Sequence, residues 1–161
     1  MKKIAFLIIS LFAAVQISAQ QVWTSPKYSY SIWTPPKFIQ STATGRNIDY
    51  KVINTDGSSL LVNVTPRQAN EYNFTPHDYT KSTLENELKQ FSYDLTITSF
   101  EKIYIDKKQA IIYHFVKEGK KCIECLIFVD DKVYMLTATT KKEQFNYYLN
   151  DFTKAIKSIT F

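Results

Sequence analysis

Gln109-Ala110-Ile111-Ile112-Tyr113-His114-Phe115-Val116-Lys117, Lys121-Cys122-Ile123-Glu124-Cys125-Leu126-Ile127-Phe128-Val129 and Lys132-Val133-Tyr134-Met135-Leu136-Thr137-Ala138-Thr139 follow one another with only Glu118-Gly119-Lys120 and Asp130-Asp131 between them. Each run has the length and the β-branched and aromatic content of a strand, and each is bounded by turn residues. Turns this short make consecutive strands antiparallel neighbours. Ile112 and Val116 point to one side of their strand while Ile111, Tyr113 and Phe115 point to the other. A strand that is apolar on both sides predicts a sheet covered on both faces.

Upstream, Leu95 to Ile105 reads as a further strand, joined through Asp106-Lys107-Lys108. Ile48 to Asn54 alternates, meets Asp56 and Gly57, and resumes at Leu60, Leu61, Val62 and Val64, which predicts a hairpin with a loop slightly longer than the tightest type. Tyr28 to Trp33 also alternates and stops at Pro35 and Pro36, the pattern of a first, edge strand. Two helices complete the set. One should start at Thr75 as N-cap, with Pro76 in the first position, Asp78 closing a capping box and Phe74 and Tyr79 as a hydrophobic staple. Tyr79 or Thr80, Leu84, Leu88 and Phe91 form its buried stripe, and it should end near Gln90 or Phe91. The other should follow a capping box of Thr140 and Glu143, burying Phe145, Tyr148, Leu149, Phe152, Ala155, Ile156 and Ile159 at helical spacing. Strands, helix, strands, helix predicts an α+β fold, a mostly antiparallel sheet of about six to seven strands with two main helices.

The chain opens with Lys2 and Lys3, an apolar run from Ile4 to Val15, and a small residue at Ala19. That is the layout of a secretory signal peptide over residues 1–19, and the run is too short to cross a membrane, which takes about 20 residues. Residues 20–161 are then expected to be one domain, periplasmic or extracellular, with no membrane span. Without Lys2 and Lys3, eighteen basic residues face fifteen acidic ones, a net charge of +3. This is too mild for a nucleic-acid binder.

No catalytic constellation, cofactor fingerprint or metal set is legible. Gly45, Gly57 and Gly119 stand isolated, so no phosphate-cradling loop can be built from them, and no Gly-x-Ser-x-Gly elbow occurs. Cys122 and Cys125 lie three apart on one strand, on opposite faces and about 10 Å apart, beyond the ~7 Å reach of a disulfide, so they read as unpaired thiols. A zinc site would have to draw on His77 and His114, the only histidines. His77 reads as a solvated residue at a helix start, and His114 as a residue packed under a helix with one nitrogen bonded. Asp130-Asp131 is a solvated turn. The repeated Trp23-Thr24 and Trp33-Thr34 segments, with only two copies, point to edge-strand chemistry or chance.

Tyr30-Ser31-Ile32-Trp33-Thr34-Pro35-Pro36, Gln109-Ala110-Ile111-Ile112-Tyr113, Val133-Tyr134-Met135-Leu136-Thr137-Ala138 leading into the last helix, and the closing Ser158-Ile159-Thr160-Phe161 together resemble the PsbP-like fold family. That family includes the Ran-binding Mog-type proteins and the bacterial periplasmic DcrB type. The resemblance implies a non-catalytic protein that docks on or helps assemble larger complexes. The expected function is therefore an exported, non-enzymatic protein-binding or assembly module of the cell envelope. The alternatives are a small protein that binds an apolar ligand or lipid, and a hydrolase with a dispersed active site. The meander should gather Lys117, Lys120, Lys121, Lys141 and Lys142 at one end of the sheet. These are the candidate contacts for an acidic envelope partner, against the plain alternative of a solubilising lysine rim.

Overall fold

A computed structural model of the chain describes residues 21–68, 73–91 and 95–161, so the expected signal peptide lies outside the described residues. Among these, nine strands and two α-helices occur in the order β1 Val22–Thr24, β2 Ser31–Trp33, β3 Ile39–Gln40, β4 Ile48–Ile53, β5 Ser59–Pro66, α1 Lys81–Lys89, β6 Thr96–Ile105, β7 Lys108–Lys117, β8 Lys120–Val129, β9 Lys132–Lys141 and α2 Phe145–Lys157. Seven strands form one antiparallel sheet in the order β3-β4-β5-β9-β8-β7-β6. The fold is α+β, as the pattern predicts. The meander β6 to β9 turns on pairs of residues. Asp106 and Lys107 have φ of 46° and 64°, and Glu118 and Gly119 have 50° and 73°, the left-handed backbone that matches the twist of a tight hairpin.

Both faces of the sheet are covered. On one, α2 lays Phe145, Tyr148, Phe152, Ala155 and Ile156 on Leu60, Val62, Ile112, Ile123, Cys125, Ile127, Leu136 and Ala138. On the other, Leu84 of α1 packs with Ile97, Ile111, Tyr113, Phe115 and Cys122, with Tyr79, Leu88 and Leu126 at the margin. Tyr148 also ties α2 to the β4–β5 loop, accepting a hydrogen bond from Asn54 Nδ2 at 2.9 Å and donating to Asp56 Oδ2 at 2.5 Å.

Four expectations are corrected. Tyr28 to Trp33 is not an edge strand of the main sheet: only Ser31–Trp33 is extended, and it pairs with β1 in a separate two-stranded ribbon. Ser29 sits at φ 56°, and the Ser25 hydroxyl accepts the N–H groups of Lys27 and Tyr28 at 3.2 and 2.9 Å, which bends the chain back locally. The two Trp-Thr segments are thus the two arms of one hairpin. Its second arm is anchored beside the end of α2, where Ser158 Oγ accepts from the Trp33 N–H at 2.9 Å and Ser31 bridges Thr160.

The first helix is divided. Thr75 and Asp78 do form their local box, Asp78 Oδ2 accepting from the Thr75 N–H and hydroxyl at 2.6 and 2.9 Å, but the turn they cap is a three-residue 3-10 turn, Pro76–Asp78. Tyr79 is extended, with ψ 138°, and Thr80 caps the true helix by accepting from the Thr83 N–H at 3.1 Å. Phe74 and Tyr79 meet edge to face at 4.7 Å, as a staple should. Phe91, expected in the buried stripe, is 84 % exposed because the helix stops before it. Thr140 does not cap α2. Strand β9 runs on through Lys141, and the buried Thr140 hydroxyl pairs with Ser58 Oγ at 2.8 Å, so a 3-10 turn, Lys142–Gln144, leads into the helix instead. Strand β3, two residues long, carries no periodicity that a sequence could reveal.

Candidate functional site

Strand parity sorts the five lysines. Lys117 lies opposite Lys120, and Lys120 opposite Lys141, so these three form a row across β7, β8 and β9. Counting by twos from Phe115 and Cys122 puts the row on the α1 face. Lys120 and Lys141 are exposed and Lys117 is half-buried, its ammonium 4.0 Å from Glu118. Lys121 belongs to the other face, where its ammonium sits 4.1 Å from the centre of the Phe145 ring. Lys142 lies in the turn before α2 and is exposed. The structure therefore brings together three of the five as a ladder, with Lys142 next in the chain, and turns Lys121 toward the helix that Phe145 opens.

Below the ladder, the α1 face carries a polar group in an apolar setting. Glu124 is paired in register with Tyr113 on one side and Thr137 on the other. Its carboxylate accepts from the Tyr113 hydroxyl through Oε1 and from Thr137 Oγ1 at 2.8 Å through Oε2. Burial raises the Glu124 pKa above the usual carboxylate range, against the two hydrogen bonds that hold it down. Only 7 % of Glu124 and 2 % of Tyr113 is exposed, so the group is shut off from a substrate and acts on the fold. The signal that could have found it was in the sequence: a glutamate among Cys122, Ile123, Cys125 and Leu126 on a strand apolar on both faces must be buried.

Cys122 and Cys125 flank it on opposite faces, Cys122 in the α1 cluster and Cys125 in the α2 cluster. Burial raises both thiol pKa values, which keeps them protonated and poorly nucleophilic. His77 is not the solvated residue expected. Its Nε2 lies 2.9 Å from the Ile103 carbonyl oxygen on edge strand β6, and its ring meets Tyr104 at 5.0 Å, so the 3-10 turn caps an otherwise open strand edge.

His114 packs beside α2 as expected, its ring 5.5 Å from that of Phe145, but the expected bond to one ring nitrogen is not made among the described residues. It lines a cleft of about 450 Å³ between α2 and the β6–β7 edge, together with Ser99, Glu101, Ile112, Leu149 and Lys157 among others. Burial, and then the charge of Lys121, lower its pKa. Among the described residues no group of three or more His, Cys, Asp and Glu could hold a metal ion, and no helix is long and apolar enough to cross a membrane.

No family model and no curated protein matches the chain by sequence. Solved structures do match. The solution structure of cyanobacterial PsbP (CyanoP) from Synechocystis sp. PCC 6803 aligns with a TM-score of 0.67 at 13 % identity over 91 % of this chain and 95 % of that one. LpqN, involved in cell envelope biogenesis of Mycobacterium tuberculosis, aligns at 0.61 with 9 % identity over 87 % and 88 % of the two chains. PA94 of Pseudomonas aeruginosa, a protein of unknown function, aligns at 0.54 with 16 % identity over 88 % and 96 %. At such identities the likeness concerns the backbone arrangement, and function has to be argued from the site. The alignments thus extend over nearly the whole described chain, with its seven antiparallel strands, α1 on one face and α2 on the other, and the chain has the PsbP-like fold.

Proposed function

We propose that the protein is an exported, non-enzymatic protein-binding or assembly module of the cell envelope, and that it docks an acidic partner protein through the row Lys117, Lys120 and Lys141, with Lys142 next to it in the chain and Lys121, on the opposite face, outside the row. The observation that carries this reading is the register. Like charges directly opposite on adjacent strands destabilise a sheet by some tenths of a kcal/mol each, and here two such pairs share Lys120. Among the described residues the row's one ion-pair contact is from Glu118 to Lys117, at 4.0 Å. A solubilising rim does not need cations in register; a carboxylate-rich surface facing them at strand spacing, about 5 Å, gains from it. The closed environment of Glu124, the one buried acid among the described residues, supports a module rather than an enzyme built on that group.

The test has two parts. Mass measurement of the secreted protein should give a chain beginning near Gln20. Crosslinking capture from the native compartment, followed by purification of the captured partner, should give a complex whose association slows as salt rises. The variant Lys120→Glu/Lys141→Glu should then bind about tenfold or more weakly and with a shallower salt dependence. A partner that binds this variant with unchanged affinity and salt slope reduces the lysine row to a solvated surface.

A further inference from the structure

The cleft between α2 and the β6–β7 edge lies on the α2 face, away from the ladder, and its reading is independent of the docking site. Its floor is apolar, from Ile112 and Leu149, and its rim is polar, from Ser99, Asn150 and Thr153. Three cationic or potentially cationic groups line it: Lys154 and Lys157 from successive turns of α2, and His114 from β7. Lys121 stands beyond Phe145 at one end. The ammonium of Lys154 rests 4.1 Å from the centre of the Trp33 ring, which is outside the cleft lining, so a ligand has to draw it off that ring, whereas Lys157 has no such contact among the described residues. Glu101, on the opposite wall, is the single acid among the lining residues. It pairs in register with Ile112 and forms no ion pair with either lysine, the ion pairs of the described residues being elsewhere.

A wall with two lysines, a floor of aliphatic carbon and a facing carboxylate describe a ligand by complementarity. It has an anionic group for Lys154 and Lys157, a short carbon body for Ile112 and Leu149, and a hydrogen-bond donor for Glu101. A volume of about 450 Å³ falls within the ~300–1,000 Å³ of small-molecule sites. We propose that this cleft binds a small organic carboxylate that also carries a hydroxyl or amino group, its carboxylate on Lys154 and Lys157 and its donor on Glu101, with His114 beside it. The same carboxylate chemistry could arrive on an acidic side chain of a bound protein, so the test uses a free molecule. Placement of Lys154 and Lys157 in the last turns of α2 also suits the helix dipole, but that role needs neither Glu101 nor the cleft.

The chain's two histidines make the measurement internally controlled. His114 lines the cleft, whereas His77 lies on the β6 edge against the Ile103 carbonyl and Tyr104. Malate is titrated into the isotopically labelled protein, with sodium chloride at matched ionic strength as the reference, and the two imidazole signals are followed by NMR after assignment with His114→Gln. The expected result is a saturable displacement of the His114 signal by malate and not by chloride, with His77 unmoved. Lys154→Gln/Lys157→Gln should weaken it about tenfold or more, as loss of charge-assisted hydrogen bonds does. Both lysines are exposed, and an unmoved His77 signal verifies that the variant is folded; Lys157→Gln alone serves if it is not. Absence of saturation up to tens of millimolar, equal displacement by chloride, or binding unchanged in the lysine variants overturns the proposal. Displacement only by a glutamate-rich peptide, with malate inert, also overturns it and assigns the cleft to a protein side chain.

Discussion

Replacing Glu124 by glutamine isolates the energetic effect of burying a carboxyl between Tyr113 and Thr137. Glutamine has the same shape, can accept the Tyr113 hydroxyl through its oxygen, and can donate to Thr137 through its nitrogen, so both contacts survive without the ionisable proton. Burial raises the Glu124 pKa in the folded protein, so in this window the folded state holds more protons than the unfolded one. The stability due to the neutral carboxyl is complete below the ordinary glutamate value, about 4.3, and is lost as pH rises through the folded value. Across that window the wild type should fall relative to Glu124→Gln by at most about 1.4 kcal/mol per pH unit, the limit for one proton. For a domain of this size that is roughly 3–5 °C in Tm per pH unit. Below the window the two should agree within about 1 kcal/mol. The assay is a pair of urea or thermal melts from pH 4 to about pH 7, below the titration of the thiols and Tyr113 that feel the Glu124 charge, read as a difference in which groups not coupled to Glu124 cancel. A difference that stays flat across the range, or a wild type that gains on the variant as pH rises, refutes the reasoning. Tyr113→Phe in the same series should destabilise by about 1–3 kcal/mol, since it leaves a buried acceptor with one partner fewer.

Tyr148→Phe should destabilise by about 1 kcal/mol, measured by urea melts, because it removes both the acceptor for Asn54 and the donor to Asp56 that tie α2 to the β4–β5 loop. Phe152, fully buried and ringed by Phe38 and Tyr148, should cost about 3–5 kcal/mol on change to alanine, while Phe91→Ala should stay within about 0.5 kcal/mol; equal costs would mean that Phe91 is covered. His77→Ala frees the Ile103 carbonyl on the sheet edge, and light scattering with concentration should show more self-association than in wild type, the consequence of an uncapped edge.

The four-strand meander was legible to within a residue or so at most ends, because two-residue turns between apolar runs leave antiparallel pairing as the one geometry available. Strand parity was equally legible: it placed Cys122 and Cys125 on opposite faces, and the same parity, followed to the strand ends, would have separated Lys121 from Lys117, Lys120 and Lys141. Helix α2 was legible because one apolar stripe at helical spacing persists from Phe145 to Ile159. Caps were less so. Thr75 and Thr140 have the sequence setting of N-caps while Thr80 reads as part of a buried stripe, yet the packing of Tyr79 against Phe74 and the bond of Thr140 to Ser58 left Thr80 as the one that opens an α-helix.

What the amino-acid order determined by itself, then, is what depends on near neighbours in the chain: the period-two runs, the turns that join them, the amphipathic last helix, and hence an antiparallel sheet covered on both faces. Contacts between residues far apart in the chain were decided only in three dimensions. The β1–β2 ribbon left the main sheet because Ser25 closes a local turn and the Trp33 N–H is taken by Ser158, 125 residues beyond Trp33. Glu124 gained its two partners because β7 and β9 deliver Tyr113 and Thr137 in register on either side of it. The cleft around His114 exists because α2 crosses the sheet short of its β6 edge and leaves Glu101 facing Lys154 and Lys157 across a gap. A local pattern specifies which way a side chain points, whereas its neighbour on the next element is set by how whole elements pack.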